Sequence, residues 1–173
     1  MQWSDSYSVG ESVMDETHQE FVVLYNSLNE AFTANDKAHF LKKFDAFLAH
    51  TEAHFAQEDA WMMASGFGPS NCHQGEHQRV LGVLKALRDG YATNSPEHLE
   101  LLAQLLDELP VWFSGHAGSM DTALSWHLHE GGWQVERGGG IRRASSQREL
   151  AQPNTGATSN SSGSCDTSVE AGR

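Results

Sequence analysis

Two cysteines, four prolines and 11 lysine or arginine residues are all that a chain of 173 residues provides of these types. Cys72 and Cys165 lie far apart in segments of different character, so no disulfide framework is expected and a reducing compartment is the default. No run of about 18 apolar residues occurs, which excludes a hydrophobic helix crossing a membrane. The opening Met1-Gln2-Trp3-Ser4-Asp5 has neither a basic nor an apolar leader, so the expected location is cytoplasmic. Basic residues are scarce against 23 acidic ones, and the imbalance is concentrated. Residues 1–130 carry a net charge of −13 and residues 131–173 a net of +1, which together give the chain its −12. A domain this acidic repels phosphate backbones and anionic lipid, so neither nucleic acid nor a membrane is expected as a partner.

Large apolar residues are scarce after Gly131. Gly138-Gly139-Gly140, Ser145-Ser146 and Asn160-Ser161-Ser162-Gly163-Ser164 offer little to bury, and the spacing predicts a low-complexity, disordered tail over 131–173. Alternating strand patterns are also missing from residues 1–130. Four stretches there have helical periodicity instead. His18, Phe21, Tyr25, Leu28 and Phe32 form the first stripe, and Phe40, Phe44, Phe47, Thr51, His54, Glu58 and Trp61 the second. His73, His77, Val80, Leu84, Leu87 and Tyr91 form the third; Leu102, Leu105, Leu109, Trp112 and His116 form the fourth. Steps of three and four suit near-parallel packing, and short breaks at Asn35-Asp36, at 66–70 and at 93–97 make sequence neighbours antiparallel. The expected fold is therefore all-α, an up-down-up-down four-helix bundle over 1–130, with residues 1–17 as an extended arm. Ser95 is the expected N-cap of the fourth helix, and Pro110 is expected to kink that helix.

One level of these stripes is polar where a bundle core calls for Leu or Phe. His18 is on the first helix, His54 and Glu58 on the second, His73 and His77 on the third, and His116 and Asp121 on the fourth. Residues four apart project roughly 40° from each other on one face. In an up-down-up-down order all four groups fall at the same end of the bundle. Seven ionisable groups buried together lose several kcal/mol each unless something compensates. Five imidazoles and two carboxylates exceed what one four-coordinate zinc uses, but they suit two octahedral ions. The five-residue step from His116 to Asp121 is awkward on a regular helix, where the two would point roughly 140° apart. A widened turn at Gly115 and Gly118 is expected to correct it.

The segment Met14-Asp15-Glu16-Thr17-His18, the motif His54-x-x-x-Glu58, the motif His73-x-x-x-His77 and the run Trp112-x-x-x-His116-x-x-x-x-Asp121 resemble hemerythrin in its single-domain bacterial form. The resemblance spans about residues 1–130. It implies two non-haem iron ions, one held by His73, His77 and His116 and the other by His18 and His54, bridged by Glu58, Asp121 and a solvent-derived oxygen. It further implies dioxygen as the ligand, taken up reversibly at an open position on the iron bearing His18 and His54, for carriage, storage or local delivery. A sensor or regulator of oxygen, nitric oxide or iron status using the same centre is the second reading, and a diiron enzyme the third. Oxygen-activating bundles use carboxylate-rich sets with paired Glu-x-x-His motifs, which this sequence lacks, so a non-enzymatic binder is expected. Met62, Trp112 and Phe113, one turn from the ligands, are the expected apolar wall of the oxygen pocket. His50 is expected beside the centre rather than in it. His39, His98, His127 and His129 are expected at the surface. Cys72 adjoins His73 but points roughly 100° away from it on a regular helix, outside the ligand set.

Overall fold

The computed structural model describes residues 1–93 and 95–144. Four long helices dominate it: α1 (Ser12–Thr33), α2 (Lys37–Ser65), α3 (Ser70–Ala92) and α4 (Pro96–His116). They form the antiparallel bundle that the periodicity predicts. A π-helical turn, Ala117–Asp121, runs from α4 into a short α5 (Thr122–Glu130). Two three-residue strands follow, β1 (Trp133–Val135) and β2 (Ile141–Arg143), paired antiparallel with Trp133 opposite Arg143. No described helix is long and apolar enough to cross a membrane.

The helix boundaries have local causes. Asp36 caps α2 by accepting from the His39 amide, and Gly66 closes the same helix in the left-handed conformation at φ 71°. Ser95 is the N-cap of α4 and Pro96 its first residue, as the sequence predicts, although the Ser95 side chain makes no capping bond. The N-terminal arm is shorter than expected, because α1 already begins at Ser12. Glu11 accepts from the amides of Val13 and Met14, while Asp15 accepts from Ser8 Oγ and the amides of Val9 and Gly10. That carboxylate pins the arm, whose residues Asp5–Tyr7 form one 3-10 turn.

Pro110 sits inside α4 without ending it. A proline lacks the N–H that would bond the carbonyl four residues earlier, here Leu106. That carbonyl is taken instead by the buried Tyr25 hydroxyl of α1, which donates at 2.6 Å.

The segment from Gly131 corrects the expectation of a featureless tail. Residues 133–143 form a hairpin whose Trp133, Val135 and Ile141 pack against Met14, Trp61, Met62, Phe67, Leu124 and Leu128. Gly138 and Gly139 turn it with φ of 105° and 92°, values that strongly favour glycine. The Gly139 carbonyl accepts from Gln57 Nε2 and from the Trp61 indole at 2.9 Å. A side chain at 139 would collide with Gln57. The predicted disorder over the rest of the tail, with Cys165, lies outside the described residues.

The core consequently has two apolar parts with a polar layer between them. The main body contains Phe21, Tyr25, Phe40, Phe44, Phe47, Phe55, Val80, Leu84, Leu102 and Phe113. The smaller part, with Met14, Trp61, Met62, Phe67, Leu124 and Leu128, closes the end. Helices α1 and α2 cross the polar layer from one part to the other, α3 starts at it, and α4 reaches it and continues through the π-helical turn into α5.

Candidate metal centre

His18, His54, Glu58, His73, His77, His116 and Asp121 are all buried, and they form that layer. They fall into two overlapping groups, within each of which one donor atom per residue lies within 4.8 Å of the others. One group is Glu58, His73, His77, His116 and Asp121; the other is His18, His54, Glu58 and Asp121. Each carboxylate divides its oxygens between them. Glu58 Oε2 lies 3.6 Å from His73 Nε2 and 3.2 Å from His77 Nε2, while Oε1 lies 3.4 Å from His54 Nε2. Asp121 Oδ1 lies 3.0 Å from His73 Nε2 and 3.2 Å from His116 Nε2, while Oδ2 lies 3.3 Å from His18 Nε2.

The widened turn is present where the spacing calls for it. The π-helical Ala117–Asp121 segment brings His116 and Asp121 onto one face, which a regular helix cannot do. Ala117, buried completely, leaves room for the layer at that turn.

The surroundings fix where three imidazoles carry their proton. His18 Nδ1 is 2.7 Å from the Tyr7 carbonyl, which can only accept, so Nδ1 holds the proton. His77 Nδ1 faces Asp59 Oδ1 at 2.9 Å with the same consequence. His54 Nδ1 meets Thr17 Oγ1 at 3.0 Å; that hydroxyl donates to the Met14 carbonyl, and so accepts from the imidazole. In each neutral ring Nε2 is then a bare lone pair aimed at a carboxylate oxygen. Where the carboxylate is ionised, lone pair faces lone pair, an arrangement that a bound cation reconciles. His18 Nε2 and all four carboxylate oxygens make no hydrogen bond although they are buried. The residues present therefore fit a metal.

The electrostatics agree. Burial pushes His54 well below its ordinary range and brings His77 down to about 3, with His73 and His116 adding to the latter shift. These rings stay neutral and available to a metal. Burial, and then the Asp121 charge, pushes Glu58 well above the usual carboxylate range. Burial acts the same way on Asp121, but the neighbouring His116 and His73 outweigh it and hold that group well below. Two carboxylates pushed in opposite directions share one dry layer, in which a bound cation would let both ionise.

The predicted wall residues separate. Phe113 packs edge-on against His18, with ring centroids 5.3 Å apart, and stacks on Phe21 at 4.2 Å. Met62 is buried in the closing cluster. Trp112 lies at the other side, half-buried, stacked on His116 at 4.8 Å, with its indole donating to Glu76. His50 lies beside the layer as expected, its Nε2 on the Thr17 carbonyl and its Nδ1 3.4 Å from Glu20. His39 and His129 are exposed, and His98 and His127 half-buried. Sequence reasoning missed Asp59, Thr17 and the Tyr7 carbonyl, which orient the ligands. Only Asp59, a carboxylate next to Glu58, left a visible trace.

A four-helix bundle carrying one layer of histidines shared between two carboxylates defines a cation-binding protein. The Hemerythrin HHE cation binding domain family matches residues 9–125, and the chain belongs to it. Three relatives are each called bacteriohemerythrin. The protein from Ralstonia nicotianae is 36% identical over 138 residues, covering 80% of this chain and 91% of the relative. That from Stenotrophomonas maltophilia is 23% identical over 82% of this chain and 92% of its own length. That from Aquifex aeolicus is 26% identical over 69% and 91%.

Proposed function

We propose that the layer holds two iron ions and that the protein binds dioxygen reversibly, as a carrier, store or local supply rather than as an enzyme. His73, His77 and His116 would hold one iron, His18 and His54 the other, with Glu58 and Asp121 bridging. The observation that carries this reading is the division of both carboxylates, each with one oxygen toward either histidine group. The three-histidine side then offers five protein donors and the two-histidine side four. The deficit leaves the two-histidine side the more open to a small ligand. When bound, the iron pair would supply the electrons that dioxygen takes up and returns.

The chain's own part is to orient and to exclude. Tyr7, Thr17 and Asp59 fix three imidazoles so that Nε2 faces inward. Phe113 and Phe21 dry the side bearing His18, and Met14 and Met62 close the layer from the end. Water and stray protons, which would promote irreversible oxidation of the centre by dioxygen, are thereby kept away. Five imidazoles and only two carboxylates favour reversible binding over the high-valent chemistry of carboxylate-rich sites.

The test is to load the protein with iron, count the metal, reduce it anaerobically, and cycle oxygen in and out while following the visible charge-transfer band. Two irons per chain and a band that rises and falls reversibly are expected. His54→Ala should leave about one iron, on the intact three-histidine side. Irreversible oxidation on the first exposure would favour the sensor or enzyme reading, and one iron in the unmodified protein would sink the two-metal assignment.

A further inference from the structure

One histidine of the layer reaches the surface through a second ring. His116 is stacked on Trp112, with ring centroids 4.8 Å apart and planes 23° from parallel. Trp112 is half-buried and, with His116, lines an open hollow of about 290 Å³ beside Glu76, Val111 and Met120. Among the described residues, the other rings packed on the layer offer no such path. Phe55 on His77 and Phe113 on His18 are buried, and the half-buried His50 stands 6.4 Å from His54. The Trp112 ring is also held in place. Its indole donates to Glu76 Oε1 at 2.7 Å, and Arg79 donates to both oxygens of that carboxylate, at 2.6 and 2.9 Å.

Charge decides what can approach this face. The α4 side of the hollow has no Asp, Glu, Lys or Arg from Leu109 to Met120, and on the α3 side Glu76 is paired with Arg79. Residues 1–130 nevertheless carry a net −13, which draws cations towards the domain and repels anions. A cation nearing Trp112 gains from that field and meets only the paired Arg79.

We propose that the Trp112 face is where a positively charged, outer-sphere one-electron donor reduces the centre after it has been oxidised, with the stacked Trp112 and His116 rings as the bridge. The inference rests on the iron reading above. A centre that has lost its electrons to dioxygen irreversibly can be returned to use only by a donor from outside the chain. That donor gives up one electron, which crosses the two rings and converts one iron(III) to iron(II); a second encounter does the same for the other ion. No bond of the chain is made or broken. Electron transfer weakens steeply with distance and is favoured through closely packed conjugated atoms, so a ring stacked on His116 and open to solvent is the shortest way in. The same face lies away from the side bearing His18 and Phe113, so a donor docked there leaves the oxygen position free.

The test uses the full, iron-loaded chain in its oxidised form and hexaammineruthenium(II), a dication that gives up one electron without entering another coordination shell. The rate of reduction is read from the visible absorption at low ionic strength. Val111 is 75% exposed at the hollow, so its charge can be changed without disturbing the core. Val111→Lys should slow reduction about three-fold and Val111→Glu speed it about as much, because one charge beside the approach acts on a dication with little screening. The same substitutions at Val23, on α1 and 66% exposed, should change the rate little. Trp112→Leu should slow reduction several-fold with the iron content and the reduction potential unmoved, and Trp112→Phe, which keeps a ring on His116, should retain most of the rate. Equal effects at 111 and 23 overturn the proposal. So does an unchanged rate in Trp112→Leu, or a slower one that a shifted potential explains. Should Trp112→Leu fail to fold, the surface variants at 111 and 23 still decide. A count of one iron per chain would defeat the two-iron reading alone, because His116 belongs to the five-donor group and the rates would still locate the way in.

Discussion

His77 shows how one side chain is prepared to ligate a metal. Phe55 stacks on its ring at 3.9 Å, Asp59 accepts a hydrogen bond from its Nδ1, and burial holds its acid form out of reach until about pH 3. His54, under Phe55 and Thr17, is shifted in the same direction. A histidine that stays neutral in the fold but protonates when unfolded gives the unfolded chain more protons below about pH 6.5, so stability falls with pH. Each such group costs up to about 1.4 kcal/mol per pH unit between its unfolded and folded values. Glu58 works the other way, because its raised value stabilises the fold as pH falls towards about 4.5 and adds nothing further below. Asp121, held low, begins to count against the fold only below about pH 4. Two histidines against one carboxylate leave a net loss. The metal-free protein is therefore expected to show a urea midpoint that drops steadily from pH 7 to pH 5. An unchanged midpoint over that range would mean that the imidazoles are not held neutral.

At the scale of elements, α4 combines a proline with an unbroken helix because α1 supplies what the proline removes. The Leu106 carbonyl loses its partner to Pro110 and recovers one from Tyr25. Tyr25→Phe should then leave a buried acceptor unpaired and cost about 1–3 kcal/mol. Pro110→Ala restores an N–H to that carbonyl, so the double variant should lose less than Tyr25→Phe does alone. Denaturant unfolding of the four proteins in a double-mutant cycle measures the coupling, and strict additivity would refute the exchange of partners. The pair also shows what a sequence hides. Stripes such as Phe40, Phe44 and Phe47, and ligand pairs such as His54 with Glu58, are legible because helical spacing is local. Even the π-helical turn left a sign in the five-residue step from His116 to Asp121. The Tyr25 bond spans 81 residues, and no local pattern announces it. The hairpin stayed hidden for a different reason. Trp133, Val135 and Ile141 are too few to outweigh the glycine and serine around them, and they find a partner only in the end cluster. Trp112, one turn from His116, stacks on that imidazole, on the side of the three-histidine group, a placement that spacing alone does not specify.

For the whole molecule, the metal layer divides the bundle into parts of unequal self-sufficiency. The body around Phe40, Phe44, Phe47, Leu84 and Leu102 is a continuous apolar core that buries its side chains without the layer. The end is smaller, and it joins α1, α2, α5 and the hairpin mainly across Met14, Trp61, Met62, Leu124 and Leu128. Its link to the body runs through the seven residues of the layer, whose buried carboxylate oxygens and His18 Nε2 lack hydrogen-bond partners that a bound cation would replace. Binding a metal adds stability only to states in which that layer is assembled. Removing iron should therefore loosen one end of the bundle and spare the other. Hydrogen exchange of iron-loaded and metal-free protein should show faster exchange, after iron removal, in α5, in the amides of β1 and β2 and around the first turn of α1. The amides of Phe44, Phe47 and Leu84 should change little, because opening there requires unfolding the body itself. Uniform acceleration along all helices would instead mean that the layer and both apolar parts form one cooperative unit. Acceleration of the body with a protected end would contradict the division altogether.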